Sequence, residues 1–343
     1  MIIILLLLLL PCASGAFTES LSTASRRELL GSSGGIVSGA AIAALLSQNK
    51  DTPRLATSSV AATASLRAQA RAAGEAAAAC AGTYARDGVT VVRGVVAPFW
   101  IELLREGCEE AQDEASDLAQ FIGAPTDAST FFTDLELARR LPSFAAFALH
   151  GPCAAVASGI TGSKSVRYLY DQLFLKPEGV SVPTPWHQDG GYWCAAGQDL
   201  CSVFVPLDVV KARECLAFLP GTHRWPLHNP SHFADGTPYM GTTLPPLPDI
   251  DAIIDDKNPP LQFDLQPGDV LVFSSRTVHG GRGNWGRALS TRWAGDDVRF
   301  WPRPGEGAVP TGNLHLNNGD PLAKNPDAFP LAWSTNDKLS SFL

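Results

Sequence analysis

The stretch Pro185-Trp-His-Gln-Asp-Gly-Gly-Tyr-Trp193 carries a histidine and an aspartate two residues apart. In an extended strand, side chains i and i+2 leave the same face. His187 and Asp189 therefore aim an imidazole and a carboxylate at one point, and Gln188 faces away. One distant histidine would complete the two-histidine, one-carboxylate set that holds non-haem iron(II) and leaves coordination positions open. His-x-Asp triplets also arise by chance, so the weight of this one comes from its company.

The remaining histidines are His150, His223, His228, His232, His279 and His315. His150 precedes the strand-like half of the chain, His228 and His232 lie in a proline-rich excursion, and His315 lies in a polar tail. His279 follows the β-branched run Val270 to Phe273 and precedes Gly280-Gly281, which let backbone and ligands approach closely. His279 is thus the expected third donor, and His187, Asp189 and His279 are the expected metal-binding and catalytic residues. His223, in Gly-Thr-His-Arg-Trp, is expected to be structural. Tyr192 and Trp193 lie just past the ligands and are expected to contact substrate, whereas Trp186 is expected in the core. Arg276, shortly before His279, could meet an anionic substrate. Glu214 and Cys215 have no account.

Positioning these residues falls to a run of short strands. Asp87-Gly88 signals a turn, and Val89 to Val96 is strand-like. Ile101, Leu104, Cys108 and Ala111 recur at helical spacing, so an amphipathic helix is expected from Pro98 to about Ile122. Leu135 to Leu149 and Ala154 to Ile160 read as further helices. From Val166 the texture changes: Arg167–Leu175, Leu200–Leu207, Leu216–Leu219, Asp269–Ser274 and Arg287–Trp293 all read as strands, and Thr222–Pro260 as loops. Short strands with helices only in front, and no β-α alternation, predict a mainly β fold: a closed antiparallel structure with flanking helices.

At 343 residues the chain can bury a sizeable core, and 45% hydrophobic with 17% charged residues is ordinary for a globular protein. A net charge of −8 argues against nucleic acid as a partner. None of the seven cysteines forms a Cys-x-x-Cys pair, which argues against a thiolate zinc site and for a reduced interior.

Residues 1–47 read as a targeting leader. Ile2–Leu10 is too short to span a bilayer, and the small residues after it suit signal-peptidase cleavage. Arg26-Arg27 before a Gly/Ala-rich apolar segment resembles a twin-arginine signal. Together they point to a plastid leader that reaches the thylakoid lumen, with the plain secretory pathway as the alternative. No stable membrane span is expected in the mature protein. Residues 48–82 are Ala/Ser/Thr-rich and read as a linker with a helix from Ser65 to Ala79. The catalytic domain is expected over 83–305 and a tail over 306–343.

Six segments carry a resemblance. Tyr170-Asp-Gln-Leu-Phe-Leu-Lys-Pro177, Pro183-Thr-Pro-Trp-His-Gln-Asp189, Leu219-Pro-Gly-Thr-His223, Pro267-Gly-Asp-Val-Leu-Val-Phe273, His279-Gly-Gly281 and Arg287-Ala-Leu-Ser-Thr-Arg-Trp293 occur in the order of the phytanoyl-CoA dioxygenase family. The chain resembles that family over about two-thirds of its length. The resemblance implies a double-stranded β-helix (jelly-roll, cupin-like) core with N-terminal helices packed on it. It also implies Fe(II), 2-oxoglutarate and O2 as cofactor and co-substrates, and a small-molecule or lipid-like substrate. Related halogenases carry Ala or Gly at the carboxylate position. Asp189 fills it here, so hydroxylation is the implied outcome.

The far carboxylate of 2-oxoglutarate needs a cation, and arginine suits it best. Arg287 and Arg292 have opposite parity on their strand. The family position falls on Gly286, a departure; closeness to it favours Arg287, and parity favours Arg292. By family position Gln172 and Phe204 also line that pocket. Two other readings stay open: a β-helix that binds ligand without turnover, and a cupin-type enzyme using manganese or zinc.

Overall fold

The computed structural model describes residues 53–122, 130–177, 183–233, 236–281, 283, 285–303, 308–312 and 314–336, with side chains from residue 63 onward. The leader read in residues 1–47 lies outside the described residues.

Helix α1 (Pro53–Ala78) opens the described chain. The helix expected from Ser65 to Ala79 is present and begins earlier, at Pro53, so most of the stretch expected to be a linker is folded. Leu66, Ala70, Ala73 and Ala77 recur at helical spacing and are buried. A short α2 (Ala81–Asp87) leads through Gly88, which is left-handed with φ 80°, into β1 (Val89–Val92). Next comes α3 (Pro98–Asp113), whose buried stripe of Trp100, Ile101, Leu104, Cys108 and Ala111 ends with the helix. Helix to Ile122 was expected. Instead Ser116 turns the chain, its N–H and hydroxyl both donating to Asp134, and β2 (Gln120–Ile122) and β3 (Phe131–Leu135) follow. Helix from Leu135 was likewise expected. Glu136 sits at φ 57°, which no helix tolerates, and α4 (Pro142–His150) starts only where Pro142 presets the backbone. Gly151-Pro152 separates it from α5 (Cys153–Thr161).

The strands come next: β4 (Ser165–Leu175), β5 (Thr184–His187), β6 (Ala195–Ala196), β7 (Leu200–Pro206), β8 (Ala217–Phe218), β9 (Val270–Ser274), β10 (His279–Gly281), β11 (Arg287–Ala294), β12 (Arg299–Phe300) and β13 (Leu331–Ser334). The major sheet has the order β1-β9-β7-β11-β4-β3-β2, with β13 also paired to β4. Part of the expected tail thus belongs to the sheet. The facing minor sheet is β5-β10-β8, and all these pairs are antiparallel. This is a double-stranded β-helix with helices on the outer face of its major sheet.

Alternation along the strands sorts the side chains. Val203, Val205, Leu289 and Trp293 join the helices in one core cluster. Phe204, Leu271, Phe273 and Ala288 point the other way, into the space between the sheets. The helix layer closes through α1 against α5. There Gly74 and Gly159 bring two backbones together: a Cβ on Gly159 would stand 2.1 Å from the Gly74 carbonyl oxygen.

Candidate metal centre

Strands β5 and β10 pair with His187 directly opposite His279. Gly280 makes that pairing tight, since a Cβ there would stand 2.9 Å from the Thr184 oxygen and 3.0 Å from the Trp186 backbone. Gln188 is extended (φ −115°, ψ 126°), which turns Asp189 to the same side as His187. Gln188 points away: its Nε2 donates to the Arg276 carbonyl at 2.7 Å, and its Oε1 accepts the His228 N–H at 2.9 Å.

The ligand atoms of His187, Asp189 and His279 all lie within 4.8 Å of one another, and all three residues are buried. This is the one such cluster among the described residues. The Asp189 Oδ1 stands 3.4 Å from His187 Nε2 and 3.6 Å from His279 Nε2. Each imidazole has its other nitrogen beside a carbonyl: Nδ1 of His187 lies 2.8 Å from the Pro185 oxygen and Nδ1 of His279 2.9 Å from that of Thr277. A carbonyl accepts only, so both Nδ1 atoms carry the proton and both Nε2 lone pairs face Asp189. The Ser202 hydroxyl donates to Asp189 Oδ2 at 2.5 Å, which leaves Oδ1 for a metal.

The charges agree with this donor set. Burial, then the neighbouring His187, pushes the His279 ring down to about 3, so it is neutral. Burial would lift the Asp189 carboxyl, but its neighbours His187, His279 and Arg292 outweigh that and hold the group well below the usual carboxylate range. Two imidazoles aimed through Nε2 and one carboxylate fit a divalent ion of the iron type.

A pocket opens from the triad between the sheets. Arg292 enters it from β11, on the same parity as Ala288 and Ser290. Register places Arg292 opposite Ser202 on β7 and Tyr170 on β4. Its Nη1 donates to the Ser290 carbonyl, its Nη2 donates to Gln172 Oε1 at 3.0 Å, and its guanidinium lies over the Tyr170 ring. Its Nε is buried without a partner, as are the Ser290 hydroxyl and the Trp285 indole N–H, all on pocket residues. Gln172 and Phe204 line the same pocket.

Three expectations require correction. Arg287 has the parity of Leu289 and Trp293 and stays outside the pocket. Its Nε and Nη2 grip Asp208 at 3.0 and 2.8 Å. Trp193 is fully buried and donates its indole N–H to the Tyr170 hydroxyl at 2.7 Å; the turn at Asp189–Gly191 sends it into the core. Arg276 is absent from the pocket wall, and its Nη2 donates to the Trp225 carbonyl. Tyr192 does line the pocket, edge-on to His187 at 5.7 Å. Sequence reasoning missed Phe233 and Tyr239, which reach the pocket from the proline-rich excursion, and Trp285 and Thr133. The lone aromatics among the prolines of that excursion were the available signal. The cysteines at 80, 108, 153, 194, 201 and 215 are free thiols.

A family model described as phytanoyl-CoA dioxygenase (PhyH) matches residues 84–292. Among solved structures, the chain is similar to the non-heme alpha-ketoglutarate-dependent epimerase SnoN from nogalamycin biosynthesis, at 22% identity and a TM-score of 0.56 over 75% of this chain and 98% of that one. It is similar to the carbocyclase SnoK from the same biosynthesis at 21% and 0.57, over 74% and 95% of the two chains. It is also similar to EctD from S. alaskensis with 2-oxoglutarate and 5-hydroxyectoine at 19% and 0.54, over 70% and 83%. At these identities the likeness is one of fold. The comparison with curated proteins gives no match.

Proposed function

The chain belongs to the phytanoyl-CoA dioxygenase family of iron(II)/2-oxoglutarate oxygenases, and from that premise we propose that it hydroxylates a small-molecule or lipid-like substrate, releasing succinate and carbon dioxide. The observation that carries this reading is the convergence of His187 Nε2, His279 Nε2 and Asp189 Oδ1, with both Nδ1 atoms and Oδ2 already engaged.

Iron(II) at this site supplies oxygen activation, which couples decarboxylation of 2-oxoglutarate to insertion of one oxygen atom into a substrate C–H bond. The protein's own residues do the holding and the shielding. His187 and His279 are fixed in the tautomer that presents Nε2, and Ser202 fixes the Asp189 carboxylate. Arg292, on the pocket wall, supplies the cation for a carboxylate of the co-substrate, while Gln172 holds the guanidinium in place. Phe204 and Trp285, edge to face at 5.7 Å, wall the pocket against water. Asp189 occupies the position that related halogenases leave to Ala or Gly, which supports hydroxylation.

The test is an anaerobic mixture of protein, iron(II) and 2-oxoglutarate. A visible charge-transfer band is expected, with His187→Ala abolishing it. Succinate release should then need both oxygen and 2-oxoglutarate. Turnover with manganese or zinc alone, or no succinate under any condition, would overturn the reading. The leader adds a location: fusing residues 1–47 to a fluorescent reporter should direct it to the plastid, and secretion into the medium would refute that.

A further inference from the structure

We infer that Phe233 is the substrate-positioning residue, an aromatic platform at the pocket mouth for an uncharged substrate that presents a flat, ring-sized apolar group. This rests on the oxygenase reading for its chemistry, but it stands on separate observations. Phe233 comes from the excursion between β8 and β9, far in sequence from the metal ligands. Its ring nonetheless sits edge-on to His187 at 4.9 Å and 88°, and parallel to Tyr192 at 5.6 Å and 13°. Tyr239 closes the group, edge-on to Tyr192 at 5.4 Å. Tyr192 is locked by its hydroxyl, which donates to the Ser231 carbonyl at 2.6 Å. Phe233 itself keeps 36% of its surface exposed. Among the exposed large apolar side chains, Phe233 is set apart by its place on the pocket wall against a metal ligand, where a concave apolar site takes its substrate.

Charge selects what that partner is. Arg292 is the one Lys or Arg on the pocket wall, and Asp189 the one Asp or Glu, among the described residues. The two other arginines that could have met a substrate anion are engaged elsewhere, Arg276 with the Trp225 carbonyl and Arg287 with Asp208. From the described wall a charged substrate would gain no counter-charge beyond the Arg292 that meets the co-substrate, so its lost hydration would go uncompensated there. Volume selects where it sits. The cavity is about 150 Å³, the size of one known to take a single benzene. 2-Oxoglutarate, larger than benzene, takes the inner end at the metal ligands and the buried Arg292, which leaves the substrate the outer end, where the exposed Phe233 lies.

Three probes test this on the iron(II)- and 2-oxoglutarate-loaded protein under anaerobic conditions: 2-naphthol, neutral and flat; 2-naphthoate, its anionic match; and cyclohexanol, neutral and puckered. Binding is read by saturation-transfer NMR. 2-Naphthol should bind best, and Phe233→Ala should weaken it roughly tenfold, about the worth of one aromatic pair. Phe233→Tyr should restore it, and Phe233→Leu should not. Equal binding of 2-naphthoate, or 2-naphthol binding unchanged in Phe233→Ala, would overturn the inference. A loaded protein with no band would fail the oxygenase reading instead. Run with 2-oxoglutarate present, the comparison of native protein with Phe233→Ala would still decide the platform.

Discussion

His187 and His279 face each other across β5 and β10 with ring centroids 4.2 Å apart, and each has its Nδ1 within 2.9 Å of the carbonyl two residues before it. The same local arrangement on two strands gives both rings one tautomer and one direction. The donor set is thus organised by backbone before any ion arrives. Asp189 lacks such a carbonyl partner and depends on a side chain, the Ser202 hydroxyl on β7.

That dependence gives the first prediction. Ser202→Ala removes the donor to Asp189 Oδ2 and frees the carboxylate to rotate. Affinity for iron(II) should fall about 10- to 100-fold, the usual cost of losing a group that orients a metal ligand. Titration with cobalt(II) as a spectroscopic stand-in checks this, with the melting temperature followed alongside. Unchanged affinity would mean that β5 alone orients Asp189.

The two arginines of β11 should separate cleanly. Arg292→Gln should raise the KM for 2-oxoglutarate roughly 10- to 100-fold, the worth of one or two charge-assisted hydrogen bonds. Arg287→Gln should leave that KM alone. Its partner Asp208 is half-exposed, so the variant should cost no more than about 1 kcal/mol of stability. Steady-state succinate formation and urea midpoints measure both, and the reverse pattern would restore Arg287 to the co-substrate.

The contrast between those arginines shows how far the sequence could be read. Strand period placed His187 and Asp189 on one face, and the same period, applied to β11, separates Arg292 from Arg287. Those features depend on neighbours in sequence. Phe233 and Tyr239 reach the pocket only because a proline-rich excursion folds back over β5, and no periodicity reports that. Trp193 misled because a single turn at Asp189–Gly191 ends the alternation that had held up to Asp189. Helix α1 was read only from Ser65 onward, and its packing was missed because its buried stripe is mostly alanine, a composition that reads equally as a solvated linker.

A pH effect on stability is expected from Asp171, away from the metal ligands. It is fully buried, and burial lifts its carboxyl to about 6. The N–H groups of Leu137 and Ala138, donating at 2.6 and 3.1 Å, oppose that rise without cancelling it. The unfolded chain releases this proton near 3.8. Between those two values the folded state binds more protons, so stability falls as pH rises through the window and levels above it. The full effect is about 3 kcal/mol at most. Urea midpoints of the metal-free protein from pH 4 to 7 should show a decline that Asp171→Asn lacks. Parallel curves for the two proteins would remove Asp171 from the account.

The last prediction concerns the helix layer. If α1 were a tether, the glycine facing it from α5 would tolerate any side chain. Gly159 of α5 lies so close to α1 that an added Cβ would meet the Gly74 oxygen at 2.1 Å and the Ala78 nitrogen at 3.0 Å. Both neighbours are backbone and cannot swing aside. Gly159→Val must therefore push α1 off α5, uncovering Leu66, Ala70 and Ala73, at a cost of roughly 1–3 kcal/mol. Limited trypsin digestion should then cut at Arg67 and Arg71 in the variant before it cuts in the β-strands. The charge-transfer band should persist, because the metal ligands lie between the sheets and α1 lies outside them. Equal protection of Arg67 and Arg71 in both proteins would show that the close approach of the two helices contributes nothing to holding α1 in place.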